Sequence, residues 1–203
     1  MKHLLQTRPL LHIVPALLLT VLFIFQTAYA IERTDNLTAK VASLELGING
    51  YTIGTKLSVE KKEYSSSHML NDAYEGTYKF SDGELSIVVA QKDDTILAIY
   101  QRKEKAGIDQ AKRMISGLMG LYSEPTAMAH DKLVYWAYNE TGKIPEEKYN
   151  QSRENAEKLE VLATVKFNSD FSITDRTLDE QHKGTIYFII SSDRLSEEFM
   201  GNN

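Results

Sequence analysis

The apolar pattern changes character along the chain. The longest apolar run comes first, "IVPALLLTVLFIF" at 13–25, thirteen residues without a charge. From residue 46 onward the apolar positions fall into short alternating or helically spaced sets bounded by turn residues. Ser81-Asp82-Gly83 separates "TYKF" from "ELSIVVA", and Asp-Gly between such runs predicts a hairpin. Leu85, Ile87 and Val89 alternate on one face. After a turn at Asp93-Asp94, Ile96, Ala98 and Tyr100 are in step, which predicts a three-stranded meander. In "GIDQAKRMISGLMGLY", Ile108, Ala111, Ile115, Leu118 and Met119 recur at helical spacing, so an amphipathic helix is expected, ended by Gly120 or at the latest by Pro125. Beyond it, "KLVYWAY", "LEVLATVKF", "FSITDRT" and "GTIYFIIS" read as strands. A turn at Asn168-Ser169-Asp170 precedes the third of these, and "RLSEEFM" reads as a short terminal helix.

Upstream of the meander, "LGINGYTIGTKLSVEKK" holds Gly47, Gly50 and Gly54 ahead of a helix-tolerant segment. Thr55 is the expected N-cap and Lys56–Tyr64 the expected helix, with positive φ expected at Gly50 or Gly54. Residues 31–45 read as a short helix or an extended arm. The segment 139–158 is charged almost throughout, with Ile144, Tyr149 and Ala156 as a thin apolar stripe, and reads as a solvated insertion.

Each half of the chain thus holds a helix followed by at least three antiparallel strands, with an Asp-containing turn between the last matched pair. A unit of that size cannot bury its apolar face alone, whereas two units side by side form one larger sheet. The expected fold class is α+β: an antiparallel sheet of two helix-plus-three-or-more-strand units with helices packed on one face. Residues 31–203 are expected to form a single domain. Two pseudo-repeats, over about 46–104 and 105–192, are one way of building it.

The pattern, with "INGYTIGTKLSVEK" leading into the first helix and "GLMGLYSEP" closing the second, resembles the tandem helix-plus-meander fold of the beta-lactamase inhibitor protein family and of small SmpA/OmlA-type envelope assembly proteins. Ser123 stands where that family tends to show glycine before the proline, and the chain has no cysteine for lipidation. The resemblance implies protein binding or envelope assembly and no enzyme activity.

The first apolar run changes the reading of where the protein works. Lys2 and Arg8 precede it and Ala28-Tyr29-Ala30 follows it, the layout of a cleavable signal peptide over residues 1–30. At thirteen residues it is short of the roughly 20 that span a bilayer. The expectation is a periplasmic or secreted protein, cleaved near Ala30. Removing residues 1–30 removes two basic and no acidic residues and takes the formal net charge from −5 to −7. That balance argues against nucleic-acid binding and against a polybasic membrane surface. The absence of cysteine excludes thiol catalysis, Cys-ligated zinc and disulfide staples, and points to a bacterial periplasm over a disulfide-rich secreted domain.

Chemical motifs are few. The glycines miss the phosphate-loop pattern, because Lys56 comes one residue late after Gly54 and the four-residue spacer is absent. Ser58-Val59-Glu60-Lys61 matches S-x-x-K, the nucleophile motif of penicillin-recognising enzymes, without the companion motifs. His130-Asp131 is a candidate acid–base pair. No histidines stand at metal-ligand spacing, so no metal and no cofactor is expected. In "VYWAY", Trp136 and Tyr138 share one face of a strand and Tyr135 and Ala137 the other. If the Trp136 side is the open one, Trp136, Tyr138 and the neighbouring Thr164 and Lys166 form a binding surface for another envelope or secreted protein. The expectation is therefore a non-catalytic binding or envelope-accessory protein. A small hydrolase built on Ser58–Lys61 or His130–Asp131, and a carrier of a small apolar ligand in a pocket beside the Ile108–Met119 stripe, are the alternatives.

Overall fold

The computed structural model of the protein describes residues 36–175 and 182–200. The leader expected over 1–30, the end of "FSITDRT" and Gly201 lie outside the described residues. In chain order the elements are α1 (residues 36–42), β1 (Gly47–Ile48), β2 (Tyr51–Thr52), α2 (Val59–Ser66), β3 (Met69–Leu70), β4 (Thr77–Asp82), β5 (Leu85–Ala90) and β6 (Ile96–Ala106). They continue with α3 (Ile108–Tyr122), β7 (Ala127–Ala129), β8 (Leu133–Asn139), β9 (Gly142–Lys143), α4 (Glu146–Glu154), β10 (Ala163–Ser169), β11 (Gly184–Ser191) and α5 (Asp193–Met200). The fold is α+β. Nine strands form one antiparallel sheet in the order β3-β4-β5-β6-β11-β10-β8-β7, with β9 beside β8, and β1 and β2 form a separate hairpin.

The two strand sets meet at the β6–β11 pair in mid-sheet. One cross-strand row explains the core. Phe80, Ile87, Ile99, Ile190, Val165 and Trp136 are successive partners across six strands, and none is exposed to solvent. Paired residues point to the same side of a sheet, so this row defines a single apolar face. α2 and α3 cover it: Tyr64 of α2 meets Phe80, and Tyr122 of α3 meets Trp136 with ring centres 6.3 Å apart. In α3 the buried positions are Ala111 and Leu118 of the expected stripe and Tyr122 beyond it.

The glycine stretch builds a junction. Gly50 and Gly54 both have positive φ, at 75° and 79°. A side chain at Gly54 would come within 2.7 Å of the Ala42 amide nitrogen, so α1 packs directly on this backbone. The expected cap is displaced. Gly54 N–H donates to Ile96 O, Ile96 N–H to Thr55 O and Leu57 N–H to Asp94 O, which holds residues 54–57 extended against the start of β6. Ser58 caps α2 instead, accepting from the Lys61 amide at 3.3 Å, and the helix starts three residues later and ends two residues later than expected.

Two further differences matter for the site. The pairing of β5 with β6 shifts between Val88↔Ala98 and Val89↔Ile96, leaving Leu97 as an extra residue. The bulge leaves Ile96 on the covered face and turns Ala98 and Tyr100 to the opposite one, so the three are not in step. Residues 171–175 form no strand; β10 pairs directly with β11, and Phe171 and Ile173 are tucked in as buried loop residues. Segment 139–158 is folded. Ile144 is buried, its N–H donating to Ala137 O, and α4 places Tyr149 with its ring centre 6.4 Å from Tyr135, on the side of the sheet away from α2 and α3.

Candidate functional site

The register separates the four residues expected to form a binding surface. Trp136 and Tyr138 point to the covered face and are buried, at 0% and 8% exposure. The Trp136 indole N–H donates to Ser123 O at 2.8 Å, and burial pushes the Tyr138 phenol up to about 12. Thr164 pairs with Ala137 and Lys166 with Tyr135, so both lie on the opposite face. The expectation that Trp136 and Tyr138 are displayed does not hold, because Trp136 terminates the core row. Thr164 is buried too, and its hydroxyl has no hydrogen-bond partner among the described residues. Lys166 alone of the four remains on an accessible surface.

That opposite face is graded. The row through Lys79, Val88, Ala98, Ser191, Thr164 and Ala137 is mostly closed over. The next row, Ser86, Tyr100, Ile189, Lys166 and Tyr135, is half-buried. In the row beyond, Arg102, Tyr187 and Asn168 are exposed. Bulge and alternation together place three tyrosines here, two of them beside a cation from the neighbouring strand and Tyr100 beside Lys79 from the strand one further on. Arg102 lies 5.7 Å from the Tyr187 ring centre, Lys166 5.7 Å from Tyr135, and Lys79 5.8 Å from Tyr100. With strands about 4.8 Å apart, Tyr100 and Tyr135 stand about 14 Å apart across the face. Cation–aromatic pairs of this spacing contribute about 0.5–1 kcal/mol each when exposed and more when a partner desolvates them.

The charges are unequal in availability. Arg102 is shared with Glu104 at 2.9 Å. Lys166 makes no ion pair among the described residues. Lys79 is buried and paired with Asp72. Burial pulls the Lys79 ammonium down, but hydrogen bonding to Asp72 and to the Tyr100 phenol outweighs it and holds the group above its ordinary value. The Tyr135 phenol is pushed up to about 12, first by burial and then by Tyr149 and Asp193. Beside Lys79 lies a cavity of about 270 Å³, lined by Tyr100, Val88, Ile189, Ala73 and Tyr74. It opens on the graded face, not beside the Ile108–Met119 stripe.

The two catalytic alternatives are taken apart by geometry. The Ser58 hydroxyl is the α2 cap, and the Lys61 ammonium sits 3.2 Å from the Tyr51 ring centre and donates to Asn49 O. Neither group serves the other as base or nucleophile. His130 and Asp131 both have positive φ in the exposed β7–β8 turn, and the Asp131 carbonyl accepts from the Ile173 N–H. The turn that carries them is closed by the Lys132 N–H donating to Ala129 O.

Sequence reasoning missed Tyr100, Arg102 and Tyr187. Tyr187 alternates visibly with Ile186 and Phe188 in "GTIYFIIS", a signal that it faces away from the core. Tyr100 was hidden by the bulge. Comparison of the chain with family models, with curated proteins and with solved structures returns no match.

Proposed function

We propose that this chain is an exported, non-catalytic binding protein that engages a partner through the sheet face bearing Tyr100, Tyr135, Tyr187, Arg102 and Lys166. The observation that carries the reading is the set of three cross-strand cation–tyrosine pairs on one face, graded from buried to exposed. Tyrosine and arginine are, with tryptophan, the side chains enriched at binding hot spots: tyrosine offers large contact area with few rotors to freeze, and arginine a planar cation that stacks and donates several hydrogen bonds. Envelope-accessory binding is also the role implied by the resemblance to the beta-lactamase inhibitor and SmpA/OmlA-type proteins. The export half of the proposal rests on the layout of residues 1–30.

Replacing Arg102, Lys166 and Tyr187 together by alanine tests the reading. All three lie outside the core row, so the fold and its unfolding midpoint are expected to persist while association with partners in the native envelope fraction falls at least tenfold. Undiminished association of the folded triple variant overturns it. Fractionation of the native host tests export separately, and full-length protein in the cytosol contradicts it.

A further inference from the structure

The strongest unexplained feature is the mismatch between Lys79 and its counterion. The Lys79 side chain is 7% exposed, whereas that of Asp72 is 77% exposed. A buried ammonium without a partner is strongly unfavourable, so Lys79 requires an anion. The anion it has comes from residues 71–76, a connection without helix or strand between β3 and β4. Withdrawing Asp72 into water costs that carboxylate little, while the lysine is held on β4, paired on both sides by β3 and β5. Between them opens the cavity of about 270 Å³. At about 30 Å³ of liquid per water, that is the room of about nine waters, enough for one aromatic ring with a short acidic arm. Its walls are apolar and aromatic: Val88 and Ile189 from β5 and β11, Tyr100 from β6, Tyr74 from the connection. An apolar, concave site with one convergent charged group is the usual form of a small-molecule pocket.

We infer that this cavity binds a small aromatic or otherwise flat carboxylic acid, whose carboxylate takes the place of Asp72 on Lys79 while its ring lies against Val88, Ile189 and Tyr100. Asp72 is then an internal competitor, and residues 71–76 open the site by releasing Lys79. The step is an exchange of one carboxylate for another on the same ammonium, with no bond made or broken. The inference rests on the graded face being the binding surface and names a ligand class for one end of it.

The test uses benzoate and 1-naphthoate as probes, with benzamide and 1-naphthamide as uncharged controls. Binding is followed by the methyl NMR signals of Val88 and Ile189 in the folded protein. The expected result is saturable shifts with the carboxylates and at least tenfold weaker response to the amides. Lys79→Met is expected to abolish the carboxylate response. Asp72→Asn leaves Lys79 without its anion in the free protein, so it is expected to lower the unfolding midpoint without ligand and to tighten carboxylate binding about three- to tenfold by removing the competitor. Shifts of equal size with acids and amides, or no tightening in Asp72→Asn, overturn the inference. If the probes fail to bind while the Arg102, Lys166 and Tyr187 substitutions still abolish partner association, the pocket is refuted and the binding face stands.

Discussion

Tyr135 and Trp136 are adjacent in the chain and lie on opposite faces of the sheet, Trp136 wholly buried with its indole N–H donating to Ser123 O and Tyr135 half-buried beside Lys166. That single alternation decides which aromatics hold the protein together and which face the opposite, more open side of the sheet. Trp136→Ala removes the largest fully buried side chain at the end of the core row. Loss of packing at such a site costs about 3–5 kcal/mol, so the urea midpoint is expected to fall sharply. Trp136→Phe retains most of the volume and loses one hydrogen bond, for a cost of about 1–3 kcal/mol if Ser123 O is left unpaired. A Trp136→Ala variant of unchanged stability would contradict the face assignment.

Ser58 separates structure from chemistry in the first helix. As the N-cap of α2, its replacement by alanine is expected to cost about 1 kcal/mol, read as a lower thermal midpoint. Lys61→Met is expected to change stability only through the lost contact with Tyr51 and Asn49 O. A penicillin-type acylating reagent should label neither wild type nor Ser58→Ala. Covalent labelling that disappears in Ser58→Ala would revive the enzyme reading.

Thr164 makes the opposite prediction. Its buried hydroxyl has no partner among the described residues, while Val165 and Ala163 beside it are well packed. Replacing an unpaired buried hydroxyl by a methyl group of similar shape is neutral or stabilising, by up to about 1 kcal/mol. Thr164→Val is therefore expected to hold or raise the urea midpoint, and a loss of more than about 1 kcal/mol would mean that the hydroxyl has a partner worth keeping.

Asp94 is one carboxylate from which acid sensitivity is expected. Its carboxylate accepts from Lys62 at 2.6 Å and from the Tyr78 hydroxyl at 2.9 Å, which together hold it below the ordinary carboxylate range, Lys62 having the larger effect. A carboxyl lowered in the folded state stabilises the protein above its unfolded value of about 4, and that contribution is lost as pH falls through the folded value. Asp94→Asn is expected to lower stability at pH 7 and to flatten the decline of stability below about pH 4. Identical acid profiles for the variant and the wild type would remove Asp94 from the account.

Much of the fold was legible because its signals are local. Asp82-Gly83 marks a real hairpin, "GTIYFIIS" coincides with β11, and the α3 stripe buries its apolar side. The misses come from tertiary competition. Thr55 has the chemistry of a cap but is held extended by β6, so Ser58 takes the role. Ile144 looks like one apolar residue in a charged insertion, yet its N–H completes the edge of β8 and its side chain is buried. The candidate site was less legible. Alternation in "VYWAY" defines two faces without saying which one the helices cover, and the bulge at Leu97 that turns Tyr100 outward leaves no mark in the local pattern.

On the reading proposed above, a partner meets the graded tyrosine face. The most direct measurement is site-specific photo-cross-linking in the native host, with a benzophenone side chain placed at Tyr187 on that face and, in a separate variant, at the exposed Leu121 on α3. A discrete adduct is expected from position 187, lost when Arg102 and Lys166 are replaced by alanine, and none from position 121. An adduct from position 121 with none from 187 would contradict it.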